Sequence, residues 1–293
     1  MKKALICFIV SVFIILISVP GSVFSSSTNK PIQATDIEIV KKVTIKGKPQ
    51  GGKPSNYAAT GTIGTICTGT KYAIVIGIND YPGSSSDLQY CVNDANSVVE
   101  ALENLYGYKP GNIAYITNSR ATHSNITNAV NTIKENAKSG DEVFFFYSGH
   151  GAKGNADDGD SEKVDESIVC WTENGDFYYF WDGELKKLFE NFPTNRIIFV
   201  FDSCLSGGMT DLAAPGRVIN MACSESGVSY EFSDIKHGQF TYYFTVEGML
   251  NKKADTNTGD GSVTVEEAFD YAKANCVYQK PTISDSFTDD LLP

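Results

Sequence analysis

The chain has 293 residues, of which 42% are hydrophobic, and a formal net charge of −11 from 24 basic and 35 acidic side chains. That length buries one sizeable core with an extension to spare. The acidic surplus argues against nucleic acid as a partner, because phosphate binding needs clustered cations.

Taken in chain order, the first element is not part of a core. Lys2 and Lys3 precede an apolar run from Ala4 to Val19, followed by Pro20, Gly21 and small residues to Ser25. This is the layout of a secretory signal peptide over residues 1–25. Read instead as a retained anchor, the run is short for a membrane span, and no later segment is long and apolar enough to cross a bilayer. The expectation is a secreted or cell-envelope protein with no membrane span after signal removal. Loss of Lys2 and Lys3 takes the net charge to −13, with 22 basic residues left against 35 acidic. Cys7 leaves as well, so the seven cysteines become six. An even count in an exported chain invites disulfides, and Cys67, Cys170, Cys223 and Cys276 have room for zero to two bridges. No CxxC spacing suggests zinc.

Residues 26–69 are rich in Ser, Thr, Gly, Lys and Pro and read as a flexible extension or propeptide, with weak strand-like alternation from Asp36 to Lys46. The folded domain is expected over residues 70–293. It opens with a buried strand at Lys71–Asp80, then a helix over Asn93–Leu105 closed by Gly107, a strand at Asn112–Thr117 and a helix over Thr122–Ala137. After a strand ending at His150 come an acidic loop (Asn155–Glu166), a short strand (Ser167–Trp171), a helix (Gly183–Asn191) and a strand ending at Cys204. A strand at Val218–Cys223 and helices at Gly238–Leu250 and Thr264–Ala274 complete the chain. Strands alternating with helices predict an α/β sandwich with a mostly parallel central sheet and helices on both faces.

Two motifs carry the chemistry. FFFYSGHG (Phe144–Gly151) and IIFVFDSCLSGG (Ile197–Gly208) are apolar runs that stop at one reactive side chain each, His150 and Cys204. Buried parallel strands read as such runs, and open α/β sheets place their chemistry at the carboxyl ends of the strands. An imidazole and a thiol delivered to one sheet edge are what nucleophilic cysteine catalysis needs. The flanking Gly149, Gly151, Gly207 and Gly208 let backbone approach a ligand closely. Asp202, two residues before Cys204 on the same strand, points to the same face, where a buried carboxylate calls for a cationic partner.

YSGHG with DSCLSGG resembles the caspase-like cysteine peptidases, and most closely their metacaspase branch. The resemblance covers roughly Lys71–Ala274 and implies a caspase-like sandwich and a His150–Cys204 dyad, with the backbone N–H groups of Gly151 and Cys204 as oxyanion donors. It further implies an anionic pocket for Arg or Lys before the scissile bond, built from Cys91 and Asp94 of YCVNDAN, Ser148 and Asp202. An N-cap role is an alternative for Asp94. Calcium, with no organic cofactor, is implied at Asp165, Asp182 and Asp211, although the second Asp of the family's DDEL element is Gly183 here. Residues Asp255–Glu267 also resemble an EF-hand-like calcium loop with Asp255, Asn257, Asp260 and Glu267; an Asp/Gly turn capping the following helix accounts for the same residues.

The expected function is a secreted, calcium-activated endopeptidase acting on proteins or peptides after Arg or Lys. The alternatives are a clostripain- or gingipain-like peptidase and a catalytically silent binding domain. Lys30, Lys41, Lys42, Lys46, Lys48 and Lys53 of the extension, with Lys153 and Lys163 of the acidic loop, are expected sites of self-processing. A strand of the extension laid over the cleft would hold such a zymogen quiet.

Overall fold

The computed structural model describes residues 32–49, 51, 57–159, 162–256 and 259–293. The expected signal peptide lies outside the described residues, as do Lys30, Lys53 and Asn257. Among the described residues no helix is long and apolar enough to cross a membrane.

Thirteen strands are described, and three come early: β1 (Ala34–Val40), β2 (Val43–Ile45) and β3 (Lys71–Gly77). They are followed by β4 (Ile113–Thr117), β5 (Glu142–Ser148), β6 (Gly151–Ala156), β7 (Asp165–Trp171) and β8 (Phe177–Trp181). The rest are β9 (Ile197–Asp202), β10 (Arg217–Met221), β11 (Tyr230–Phe232), β12 (His237–Gly238) and β13 (Thr282–Asp285). The helices are α1 (Cys91–Leu105), α2 (His123–Asn136), α3 (Asp182–Leu188), α4 (Gln239–Thr241), which runs on as a π-helix over Tyr242–Leu250, and α5 (Val265–Asn275).

The central sheet has the order β13-β10-β9-β5-β3-β4, parallel throughout except for the antiparallel edge strand β13. Its inner strands β3, β5 and β9 are buried on both faces, and the period-2 alternation of side chains sorts them into two cores. Ile74, Ile76, Phe145, Tyr147, Phe199 and Phe201 face α2 and the α3 region through Ile126, Val130, Leu185 and Phe189. Their neighbours Ala73, Val75, Phe144, Phe146, Ile198 and Val200 face α1, α5 and the Gln239–Leu250 helix through Val98, Leu102, Phe240, Phe244 and Phe269. Helix ends follow local chemistry: Thr122 caps α2 through the N–H of Asn125, and Thr264 with Glu267 forms a reciprocal capping box on α5.

Two further sheets, β1-β6-β7-β8 and β12-β11-β2, were not anticipated as sheets. For residues 34–45 they correct the expectation of a flexible extension. β1 pairs antiparallel with β6 and β2 pairs parallel with β11, so residues 34–45 are built into the domain by backbone hydrogen bonds that their polar composition does not announce. Farther on, the Asp270 carboxylate accepts the N–H groups of Ala58 and Ala59, and Asp290 accepts those of Thr60 and Gly61. All six described cysteines, Cys67, Cys91, Cys170, Cys204, Cys223 and Cys276, are free.

Candidate active site

The register of β5 against β9 explains why the two motifs meet. Ser148 is paired with Asp202 at the carboxyl ends of the two strands, and His150 and Cys204 each lie two residues farther on. Equal offsets beyond a matched pair bring the two residues to the same sheet edge. The glycines around them are required by contact. A Cβ on Gly151 would lie 2.0 Å from the carbonyl oxygen of Cys204, and one on Gly149 would lie 2.3 Å from the Tyr147 hydroxyl and 2.4 Å from that of Tyr81.

Those two tyrosines hold the histidine. The His150 N–H donates to Tyr81 Oη at 2.9 Å, Tyr147 Oη donates to the His150 carbonyl at 2.8 Å, and the Tyr81 ring lies 4.6 Å from the imidazole. The ring's tautomer follows from its partners. Nδ1 accepts from the backbone N–H of Lys42 at 3.2 Å, so Nε2 carries the proton and donates to the Ser86 carbonyl at 2.8 Å. Burial lowers the imidazole pKa to about 4, with Lys42 and Lys41 adding to the fall. Cys204 precedes Leu205, whose φ of 60° turns the chain away from the strand, and its Sγ accepts the Ser229 N–H at 3.2 Å. Burial pushes the thiol up to about 12. Burial thus disfavours the charged form of both the thiol and the imidazole.

The structure brings Cys91, Asp94, Ser148 and Asp202 around a single ammonium, that of Lys42. Lys42 Nζ is 2.8 Å from Asp202 Oδ1, 3.1 Å from Ser148 Oγ, and 3.9 Å from both Asp94 Oδ2 and Cys91 Sγ, with no side-chain exposure. Burial opposes the charge, but the Asp202 and Asp94 carboxylates hold Lys42 well above its ordinary value. Asp202 is held below its ordinary range in spite of its burial, by Lys42 and by hydrogen bonds from Ser229 Oγ (2.7 Å) and Thr241 Oγ1 (2.7 Å). Asp94 is raised to about 6, first by burial and then by the neighbouring Asp202, with Lys42 opposing. Its alternative role as N-cap is not what the structure shows. Tyr90 is the N-cap, while Asp94 sits inside α1 and accepts from Ser148 Oγ (2.8 Å) and the Gly238 N–H (2.9 Å). Gly238 passes between the two acids, where a Cβ would come within 2.3 Å of Asp202 Oδ2.

The expected calcium residues are only partly assembled. Asp165 and Asp182 come together with Asp158, their carboxylate oxygens within 4.8 Å of one another; Glu162 and Glu166 form an overlapping group with Asp182. Asp211 is instead ion-paired with Lys186 at 3.1 Å, and Asp158 replaces it in the set. The Gly183 departure explains this, because a Cβ there would lie 2.4 Å from Asp158 Oδ2, which accepts the Gly183 N–H at 2.9 Å. The space beside the glycine at the α3 start is filled by the Asp158 carboxylate. Burial, then Asp158 and Glu166, push Asp182 up to about 9, and burial pushes Glu166 to about 8. Asp182 Oδ2 and Glu166 Oε2 are buried with no hydrogen-bond partner among the described residues. The set fits a hard, oxygen-seeking cation.

The EF-hand-like reading fares differently. Asp255 accepts the Gly261 N–H, Asp260 accepts the Ser262 N–H, and Glu267 closes the capping box of α5, so these residues form the Asp/Gly turn and helix cap. Among the described residues they form no metal-holding group. The local sequence carries both readings, and Asn257, the remaining residue of the calcium-loop reading, lies outside the described residues.

Comparison with known proteins agrees with this geometry. The profile of the caspase domain, peptidase C14, matches residues 70–292. The chain belongs to the caspase-domain family. It is similar to Metacaspase-1A of Aspergillus oryzae, 32% identical over 169 residues, which are 55% of this chain and 39% of that protein. Metacaspase-7 of Arabidopsis thaliana is 30% identical over 217 residues, 68% of this chain and 53% of the relative. The caspase domain described here thus spans about half or less of the length of these relatives. A crystal structure of a Geobacter sulfurreducens protein shares the fold, with a TM-score of 0.56 over 76% of this chain and 95% of that one, at 17% identity.

Tyr81, Tyr147, Ser229, Thr241 and Asp158 were not singled out for these roles in the sequence. Asp158 had a signal, its place in the acidic run after His150. The others had none, because each acts through a contact made only on folding.

Proposed function

We propose that this caspase domain is a cysteine endopeptidase that cleaves after Lys or Arg, with Cys204 as nucleophile and His150 as its acid and base. The observation that carries the reading is the Lys42 ammonium, fully buried among Asp202, Asp94 and Ser148 while its backbone touches the catalytic imidazole. A pocket that holds one lysine in this way at the dyad offers the same contacts to a substrate side chain, and an acidic side chain there would meet two carboxylates at close range. The thiolate would add to the carbonyl carbon before the scissile bond, and the imidazolium would protonate the leaving nitrogen. The N–H groups of Gly151 and Cys204 are the donors for the oxyanion. Profiling with a peptide library is expected to return Lys and Arg before the cut; an acidic or apolar preference refutes the pocket. A silent binding domain is separated from an enzyme by a thiol-reactive probe bearing a basic residue, whose labelling must depend on Cys204.

Calcium activation belongs to the same proposal. Asp158, Asp165, Asp182 and Glu166 would hold the ion, which supplies charge compensation for acids that otherwise repel one another. Activity is expected to rise with millimolar calcium and fall with chelator, and Asp182→Asn to lose most of that response. Equal activity of the wild type in excess chelator would show that these acids bind no activating ion. Self-processing fits best at Lys163, exposed in the loop before β7, and export through residues 1–25 completes the reading. N-terminal sequencing after incubation with calcium, beside Cys204→Ala, tests the processing: fragments common to both assign it to another protease.

A further inference from the structure

The segment that fills the cleft runs through it in the direction opposite to a cleavable substrate. Val40 pairs with Gly151 at the His150 side, Lys42 drops its side chain into the anionic pocket, and Val43, Thr44 and Ile45 leave alongside Tyr230, Glu231 and Phe232. Hydrolysis after Lys42 would break the bond between the Lys42 carbonyl carbon and Val43 N, so the imidazole would have to face Val43 N to protonate it as it leaves. It does not. The Val43 N–H is committed to the Ser229 carbonyl at 3.1 Å, and the nitrogen facing His150 Nδ1 is that of Lys42 itself. That nitrogen belongs to the preceding bond, whose acyl residue is Lys41. The Lys41 side chain is outside the pocket, its Nζ donating to the Ser85 carbonyl at 2.8 Å. Neither bond therefore has its acyl residue in the pocket and its leaving nitrogen at the imidazole. The Lys42 N–H also occupies the Nδ1 lone pair that would take the thiol proton.

Resting on the peptidase reading above, we propose that residues 40–45 are a built-in inhibitor threaded backwards. In this arrangement Lys42 satisfies the substrate pocket without presenting a bond for cleavage. The enzyme is then released by displacement of this strand and not by a cut at Lys42. The anchors on either side hold the plug at high effective concentration: β1 on β6, including the Glu38–Lys153 ion pair at 3.2 Å, and Thr44 Oγ1 on Glu231 at 2.6 Å.

The test uses the full chain as wild type, Lys42→Ala and Lys42→Met, the last keeping the aliphatic stem so that loss of charge is separated from loss of packing. With calcium present, both variants are expected to gain at least ~10-fold in kcat/KM on a Lys peptide, as expected for loss of a tethered competitor. Intact mass of the wild type should show no cut between Lys42 and Val43. A synthetic peptide spanning residues 38–46 should inhibit competitively, wild type and variants alike, and be recovered uncut, while the same peptide with alanine in place of Lys42 should not inhibit. Wild type and variants of equal activity, a new terminus at Val43, or cutting of the peptide after Lys42 each overturn the backward plug while leaving the peptidase reading intact. Absence of turnover and of basic-probe labelling in all three proteins overturns both.

Discussion

Cys204→Ala is expected to abolish peptide hydrolysis, with a loss of at least about 10⁴-fold in kcat, and His150→Ala to do nearly the same. The two losses should not add in the double variant, because nucleophile and base act as one unit. The fold should survive, since Cys204 Sγ makes one close backbone contact, from the Ser229 N–H, and the imidazole is bonded to main-chain groups alone. Circular dichroism and melting temperature check that point; kcat on a Lys peptide checks the other. Turnover by Cys204→Ala within tenfold of wild type would remove Cys204 as the nucleophile. At rest the thiol is pushed up to about 12 and the imidazole down to about 4, both by burial under the strand that covers them. The pH profile of kcat/KM should accordingly be read in Lys42→Met, where the strand is expected to be displaced.

Asp202→Asn should lower kcat/KM for Lys and Arg peptides by about 10²–10⁴-fold, the consequence of roughly 3–5 kcal/mol for a buried cation left without its closest carboxylate. The charge that remains is on Asp94, 3.9 Å from the ammonium against 2.8 Å for Asp202. Asp202 is also the better positioned of the two, fixed by Ser229 and by both the N–H and the hydroxyl of Thr241. Because the same substitution loosens Lys42, the wild-type chain receives two opposed effects. The measurement belongs in Lys42→Met, where only the substrate term remains. A change of less than threefold there would show that Asp202 serves the fold and not the substrate.

The amino-acid sequence by itself determined the elements whose signal is local. Continuous apolar runs marked β3, β5 and β9 as buried parallel strands, and their period-2 alternation sorts the same residues into two cores. The abrupt stops of two of those runs marked His150 and Cys204, which the register of β5 on β9 brings to one sheet edge, and Thr122 marked a helix start through its own hydroxyl. Asp202 was legible too, since it must share the nucleophile's face, whereas Asp94 came only from the family resemblance. Tertiary structure decided everything that depends on which distant segment arrives. Six lysines of the extension were equivalent in sequence, and only the strand pairings of residues 34–45 select Lys42 and set its direction through the cleft. The acidic loop offered several carboxylates, and the volume vacated at Gly183 chose Asp158 while Lys186 withdrew Asp211. The physical reason is common to all of these. Periodicity and capping are properties of a few consecutive residues, whereas burial, charge pairing and chain direction at a site are properties of contacts between separate elements, 25 residues apart for Asp158 and Gly183 and more than a hundred for Lys42 and His150, and those exist only once the sheets have formed.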